Sequence, residues 1–154
     1  FFIHSLDTRP GEAELLAVFA AYVADRLLPE NLRRRLSVTI NTTAQPIRVP
    51  ISRDYMISQK GFLRYVLPTD FTFTASVSVG MRDAMEVIAH ELIHISQICH
   101  GRLRVQRRRV GAGTAARQIH IASWCKATLT PINQFEWHKR PWEIEAGTGR
   151  RFWL

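Results

Sequence analysis

The stretch from Phe71 to Gly101 changes its period once, and that change narrows the folds open to the chain. Phe71, Phe73, Ala75, Val77 and Val79 alternate with Thr and Ser, the two-residue period of a half-buried strand. Gly80 breaks the alternation. From about Arg82 to Cys99 the apolar residues Met85, Ile88, Ala89, Leu92, Ile93 and Ile98 follow helical spacing, and Gly101 stands where a C-terminal cap belongs. A strand thus feeds directly into a helix with one apolar face, and that face needs a layer to pack on.

The flanking segments supply candidates for that layer. PGEAELLAVFAAYVADRLLPE predicts a first helix, with Pro10 in its first turn and Glu12 and Glu14 at the positive end of its dipole. Its apolar stripe is Leu15, Leu16, Phe19, Tyr22, Val23 and Leu27, and Pro29 closes it. LSVTINTT, IRVPIS and FLRYVL are short β-prone runs, parted from one another and from the 71–79 run by Gln45-Pro46, Lys60-Gly61 and Pro68-Thr69-Asp70. RLRVQRRRV and ARQIHIASW, on either side of Gly111-Ala112-Gly113, predict a basic hairpin, and PWEIEAGTGR a closing helix. No repeat, low-complexity tract or linker interrupts this order. The expectation is one α+β domain over residues 1–154, with a twisted, largely antiparallel sheet against the central helix.

Within that helix lies HELIH. Residues four apart differ by about 40° in rotation and about 6 Å in rise, so His90 and His94 point the same way and can share one small cation. Imidazole nitrogen suits zinc at about 2.0–2.1 Å. Glu91, about 100° further round, stays off the cation but close enough to act on a water beside it. This is the H-E-x-x-H arrangement with the glutamate as general base. The plainer alternative is two histidines satisfied by neighbours, which would bury two imidazoles and a carboxylate without charge compensation.

Catalytic zinc usually takes three protein ligands and keeps one position open. His100 falls at the third-histidine position of H-E-x-x-H-x-x-G-x-x-H. There a glycine turns the chain back, and Gln97 occupies that place here. On an unbroken helix His100 would stand about 15 Å along the axis from His90, and Met56, Met81 and Met85 all precede the motif, so no methionine turn follows it. A protonated His100 suits the negative end of the helix instead. The other donors are Glu143 and Glu145 on the closing helix. Glu143 opens an E-x-x-A pattern and is preferred, with Glu145 as a supporting residue or an alternative ligand.

HELIHISQ followed by PWEIEA resembles a group of small zincin-like metallopeptidases common in phages and other viruses. The matching residues are His90, Glu91, His94, Gln97, Trp124, Pro141, Trp142, Glu143, Glu145 and Ala146, across roughly 84–147. The resemblance implies a zincin-like fold and one Zn2+ on His90, His94 and Glu143. It also implies peptide hydrolysis with Glu91 as the base. The first 80 residues match in element order alone, and Gly147 stands where zincins often carry Asp or Asn.

The formal charge of +8 favours anionic partners. Arg33-Arg34-Arg35 and the arginines at 102, 104, 107, 108 and 109 supply most of it, and residues 100–118 contain no Asp or Glu. A solvated face accounts for these as well as a nucleic-acid contact does. SprT-like proteases, which cut DNA-crosslinked proteins, also combine H-E-x-x-H with basic surfaces, and their downstream histidine ligand would here be His120 or His138. A module that keeps a structural zinc and binds nucleic acid or a virion is the non-enzymatic alternative. Trp124, Trp137 and Trp142 are expected to pack in the core or at its rim, and the strand at 71–79 to align an extended substrate by edge pairing. Cys99 and Cys125 are expected to be small buried residues with no disulfide framework. No run reaches the roughly 18–20 apolar residues of a membrane span. The opening FFIHSLDTRP lacks both a secretory-signal layout and an initiator Met, so it assigns no compartment.

Overall fold

A computed structural model describes residues 2–5, 11–43, 47–52, 55–59, 61–65, 72–78, 81–127, 130–131 and 139–149. Pro10, the turn residues 45–46 and 68–70, Phe71, Val79, Trp137 and His138 lie outside that set, as do the side chains of Arg107, His120 and residues 72–78. The elements run β1 (Phe2–Ser5), α1 (Glu12–Leu27), α2 (Glu30–Arg33), β2 (Ser37–Thr43), β3 (Ile47–Ser52), β4 (Tyr55–Gln59), β5 (Gly61–Tyr65), β6 (Thr72–Ser78), α3 (Met81–Cys99), β7 (Leu103–Val110), β8 (Arg117–Trp124), β9 (Thr130–Pro131) and α4 (Pro141–Gly149). The class is α+β.

The sheet beside α3 departs from the expected antiparallel form. Its order is β1-β2-β6-β5, and β1 with β2 and β2 with β6 run parallel, while β5 with β6 is antiparallel. The first of these parallel pairs follows from β1, a four-residue strand that precedes α1. A parallel neighbour needs a crossover, and α1 with α2 forms it between β1 and β2. β3 and β4 form a separate hairpin, and β7, β8 and β9 a third sheet, all antiparallel. Because β6 lies between β2 and β5, its backbone is already paired on both sides and the edge-pairing role expected for it is closed.

Helix α1 buries a narrower stripe than its sequence suggested. Leu16, Ala20, Val23 and Ala24 face inward, while Leu15 and Tyr22 are half exposed. The small side chains of Ala20 and Ala24 let α3 pack closely against this face. Gly11, with φ at 90°, caps the helix, a conformation that suits glycine. Pro29 is the N-cap of the short α2 rather than a simple stop. The core joins Leu16, Val23, Val38, Ile40, Ile88, Leu92 and Ile95, so α3 is buried by α1 on one side and by the sheet on another. Trp142 on α4 and the partly buried Trp124 on β8 close the far end, their rings 6.4 Å apart. Among the described residues no helix is long and apolar enough to cross a membrane.

Candidate metal centre

Burial of α3 on several sides explains why its polar residues are unusual. His90, Glu91, His94, Ser96 and Gln97 are all buried, and a helix so enclosed must satisfy them internally. The 3.6-residue period places His90 and His94 on one face, where their rings meet edge to face with centroids 4.6 Å apart. Helix α4 meets α3 at this face. Pro141 opens α4, and Trp142 and Ala146, four apart, turn into the core. Glu143 and Glu145 then fall on opposite sides of the Trp142–Ala146 stripe, so one helix sends its two carboxylates to different neighbours.

Glu143 goes to the histidines. Its Oε2 is 3.0 Å from His90 Nε2 and 3.2 Å from His94 Nε2, and the two Nε2 atoms are 3.0 Å apart. Two atoms bound to one tetrahedral zinc at about 2.0–2.1 Å stand roughly 3.3 Å apart. The triangle of donor atoms therefore has the size of one face of such a site, and the three residues form a group that could hold a metal ion. The electrostatics agree. Burial opposes ionisation of Glu143, but hydrogen bonds from His90 and His94 outweigh it and bring the carboxyl down to about 2. Burial likewise opposes charge on His94, yet the hydrogen bond and charge of Glu143 raise its pKa. Both directions describe a pocket that attracts positive charge, which a divalent cation supplies.

Glu145 goes elsewhere. Its Oε2 accepts a hydrogen bond from Gln97 Nε2 at 2.6 Å and its Oε1 one from Arg102 Nη1 at 2.6 Å. His100 is turned onto its own helix, Nδ1 donating to the Ser96 carbonyl at 2.8 Å, and takes no part in the cluster. The backbone of His120 lies in β8, opposite Arg107. Glu91 is 7% exposed and stands outside the hydrogen bonds that join the other three residues. Burial pushes its carboxyl above the usual range, against the partial relief of His94 and His90.

In the sequence Gln97 marks the absence of a turning glycine and matches the resemblance, with no role assigned to it. In the structure it is fully buried, with Oε1 on His94 Nδ1 at 2.9 Å and Nε2 on the Trp142 carbonyl at 3.1 Å as well as on Glu145. Nothing in its spacing three residues after His94 separates this from an ordinary helix glutamine. Arg102, counted in the basic cluster, is paired by Glu145, so that cluster loses one of its free charges. Arg33 and Arg34 are also paired, with Asp25 and Glu30. Cys125 is exposed rather than buried, and Cys99 is half-buried with its thiol pushed up to about 11 by burial.

No family model matches the chain, and neither a curated protein nor a solved structure does. The chemistry of the site is therefore read from its own residues.

Proposed function

We propose that the chain is a zincin-like zinc metallopeptidase, the observation that carries this being the convergence of His90, His94 and Glu143 from two helices onto one small triangle. Two imidazoles and a carboxylate are a donor set that zinc favours, and three protein donors leave a position for substrate or water. Zinc, when bound, polarises a carbonyl and lowers the pKa of a nearby water. Glu91 accepts a proton from the attacking water as its oxygen bonds to the scissile carbonyl carbon. It then passes that proton to the leaving amine as the C–N bond breaks. Burial that raises the Glu91 carboxyl suits a group that must both take and release a proton. An extended peptide can add only to a sheet edge, and β5, like β7, is an edge strand in contact with α3.

The ligand assignment is tested by comparing two variants. Glu143→Ala should lower zinc affinity at least tenfold, because it removes one of three donors, whereas His100→Ala should leave it within a factor of two or so. The opposite ranking in a chelator competition would return the third position to His100.

The basic hairpin favours a second reading, in which the same fold works on or near nucleic acid. Arg104, Arg108 and Arg109 on β7 and Arg117 on β8 are exposed, and β7 pairs with β8 along their whole length. If these side chains meet phosphates, three or four contacts should give log affinity against log salt a slope near −3 on duplex DNA, with little dependence on sequence. Changing Arg104, Arg108 and Arg109 together to Ala should flatten that slope without altering zinc content. Absence of salt-sensitive binding at low ionic strength would leave the arginines as a solvated face.

A further inference from the structure

We propose that Gln97 is the positioning residue of the metal centre: it fixes which nitrogen of His94 faces the ion and ties that histidine to the helix that carries Glu143. This rests on the zinc reading of the site. The side-chain amide of Gln97 has one accepting end and one donating end, and its neighbours decide which way it points. On the α4 side stand the Trp142 carbonyl, 3.1 Å away, and Glu145 Oε2, 2.6 Å away. The carbonyl has no proton to give, and the Glu145 carboxylate already accepts from Arg102 through its other oxygen. Both need N–H donors, so the NH2 end of Gln97 must face α4. Its Oε1 is then left toward His94 Nδ1 at 2.9 Å.

An amide oxygen only accepts, so Nδ1 of His94 carries the proton. In the neutral ring the lone pair is consequently on Nε2, the atom that stands 3.0 Å from His90 Nε2 and 3.2 Å from Glu143 Oε2. The other tautomer would set two lone pairs against each other in a place with no exposure. Gln97 thereby keeps a proton on Nδ1, so Nε2 is the nitrogen that is left to bind an ion.

The same residue holds the third donor in place. Glu145 and Glu143 are two residues apart on α4, and Gln97 grips that helix at the Trp142 carbonyl and at Glu145. Arg102 completes the clamp from the start of β7. Its backbone N–H donates to the Gln97 carbonyl at 2.9 Å, its own carbonyl accepts from Cys125 at 2.7 Å, and its guanidinium reaches Glu145 Oε1. Gln97 thus joins α3 to α4 through its side-chain amide and to the base of the hairpin through its backbone carbonyl. An ordinary core glutamine would hold helices together without choosing a tautomer.

Two readouts separate these roles. Zinc affinity, from competition with a chromophoric chelator, should fall 10–100-fold in Gln97→Met, which keeps length and removes every hydrogen bond. Gln97→Glu should also weaken zinc, since it opposes the Glu145 carboxylate and cannot donate to α4. Combined with Glu145→Gln it should regain part of the lost affinity, because the new carboxylate accepts from His94 and the new amide donates back to it, while the Trp142 carbonyl stays without its donor. In the zinc-loaded protein the His94 Nδ1–H should give a downfield, slowly exchanging proton signal in wild type, and that signal should move upfield and exchange faster in Gln97→Met. If Gln97→Met does not fold, Gln97→Glu and the double variant carry the comparison. Wild-type protein that binds no zinc overturns the zinc reading and this inference with it. Wild type that binds zinc no better than Gln97→Met, or a His94 Nδ1–H signal that Gln97→Met leaves unmoved, overturns this inference alone.

Discussion

His90→Ala should purify with almost no zinc, where the wild-type chain should carry close to one ion. The effect is large because the site is small. Removal of His90 leaves two donors, His94 and Glu143, and takes away an atom 3.0 Å from each of the other two ligand atoms or nearly so. Water can enter the vacated corner but brings neither charge nor fixed direction. Deleting the ring also leaves a cavity on a helix whose neighbours Ile88, Ala89 and Leu92 are buried, so folding must be checked beside metal content. Thermal unfolding supplies an independent measure. Zinc held at about 100 times its dissociation constant stabilises the native state by about 2.7 kcal/mol. For a chain of this size that corresponds to roughly 5–10 °C in Tm. A chelator should therefore lower the Tm of wild type by that amount and leave His90→Ala unmoved. Equal zinc in both proteins, measured by atomic emission on folded samples, would end the assignment of this cluster as the metal centre.

The parts of the site that were legible in sequence are those set by one local period. HELIH on an amphipathic helix places two rings on one face whatever the rest of the chain does, and E-x-x-A after Pro141 puts Glu143 in a first turn. The E-x-x-A pattern favoured Glu143 over Glu145, but the physical reason, which side of α4 faces α3, is a matter of tertiary packing that the burial of Trp142 and Ala146 decides. Gln97 illustrates the same limit. Its three bonds reach residues 3, 45 and 48 positions away, and only the first is local. The hairpin at 102–124 and the closing helix were readable to within a residue or two, because turn glycines and an initial proline mark their ends. The sheet was not. FIHS and YMISQ are too short to show a period, and the two-residue β9 contains a proline, so three strands went unread. With β1 missing from the sequence reading, the α1 crossover that lets β1 run parallel to β2 could not be seen. The parallel pairing of β2 with β6, with three strands between them in the chain, has no local mark, so the sheet was expected to be antiparallel. On α1 the hydrophobic spacing alone overstated the buried face, because Ala20 and Ala24, small enough to admit α3, outrank Leu15 and Tyr22.

Glu91→Gln should keep both zinc and fold while hydrolysis falls by about 10²–10⁴, the usual contribution of a positioned acid–base group. The two side chains have nearly the same shape, so no cavity opens at a position only 7% exposed. Glu91 is also absent from the hydrogen bonds that connect His90, His94, Gln97 and Glu143, so exchanging its carboxylate for an amide leaves that framework intact. What changes is proton chemistry. A carboxylate can accept the proton of an attacking water and return it to an amine, and an amide oxygen is far too weak a base to do either. Folding stability should hold or rise slightly, since burial works against the charged form of Glu91 and the amide carries no charge to desolvate. The measurement is turnover of a casein-type fluorogenic substrate by zinc-loaded protein, with zinc content and unfolding recorded on the same samples. Activity equal to wild type in a folded, zinc-loaded Glu91→Gln protein would sink the general-base role. Zinc-loaded wild type that cleaves nothing while still losing its metal in His90→Ala would point instead to the non-catalytic zinc module. The exposed arginines of the hairpin would then be the first place to look for its partner.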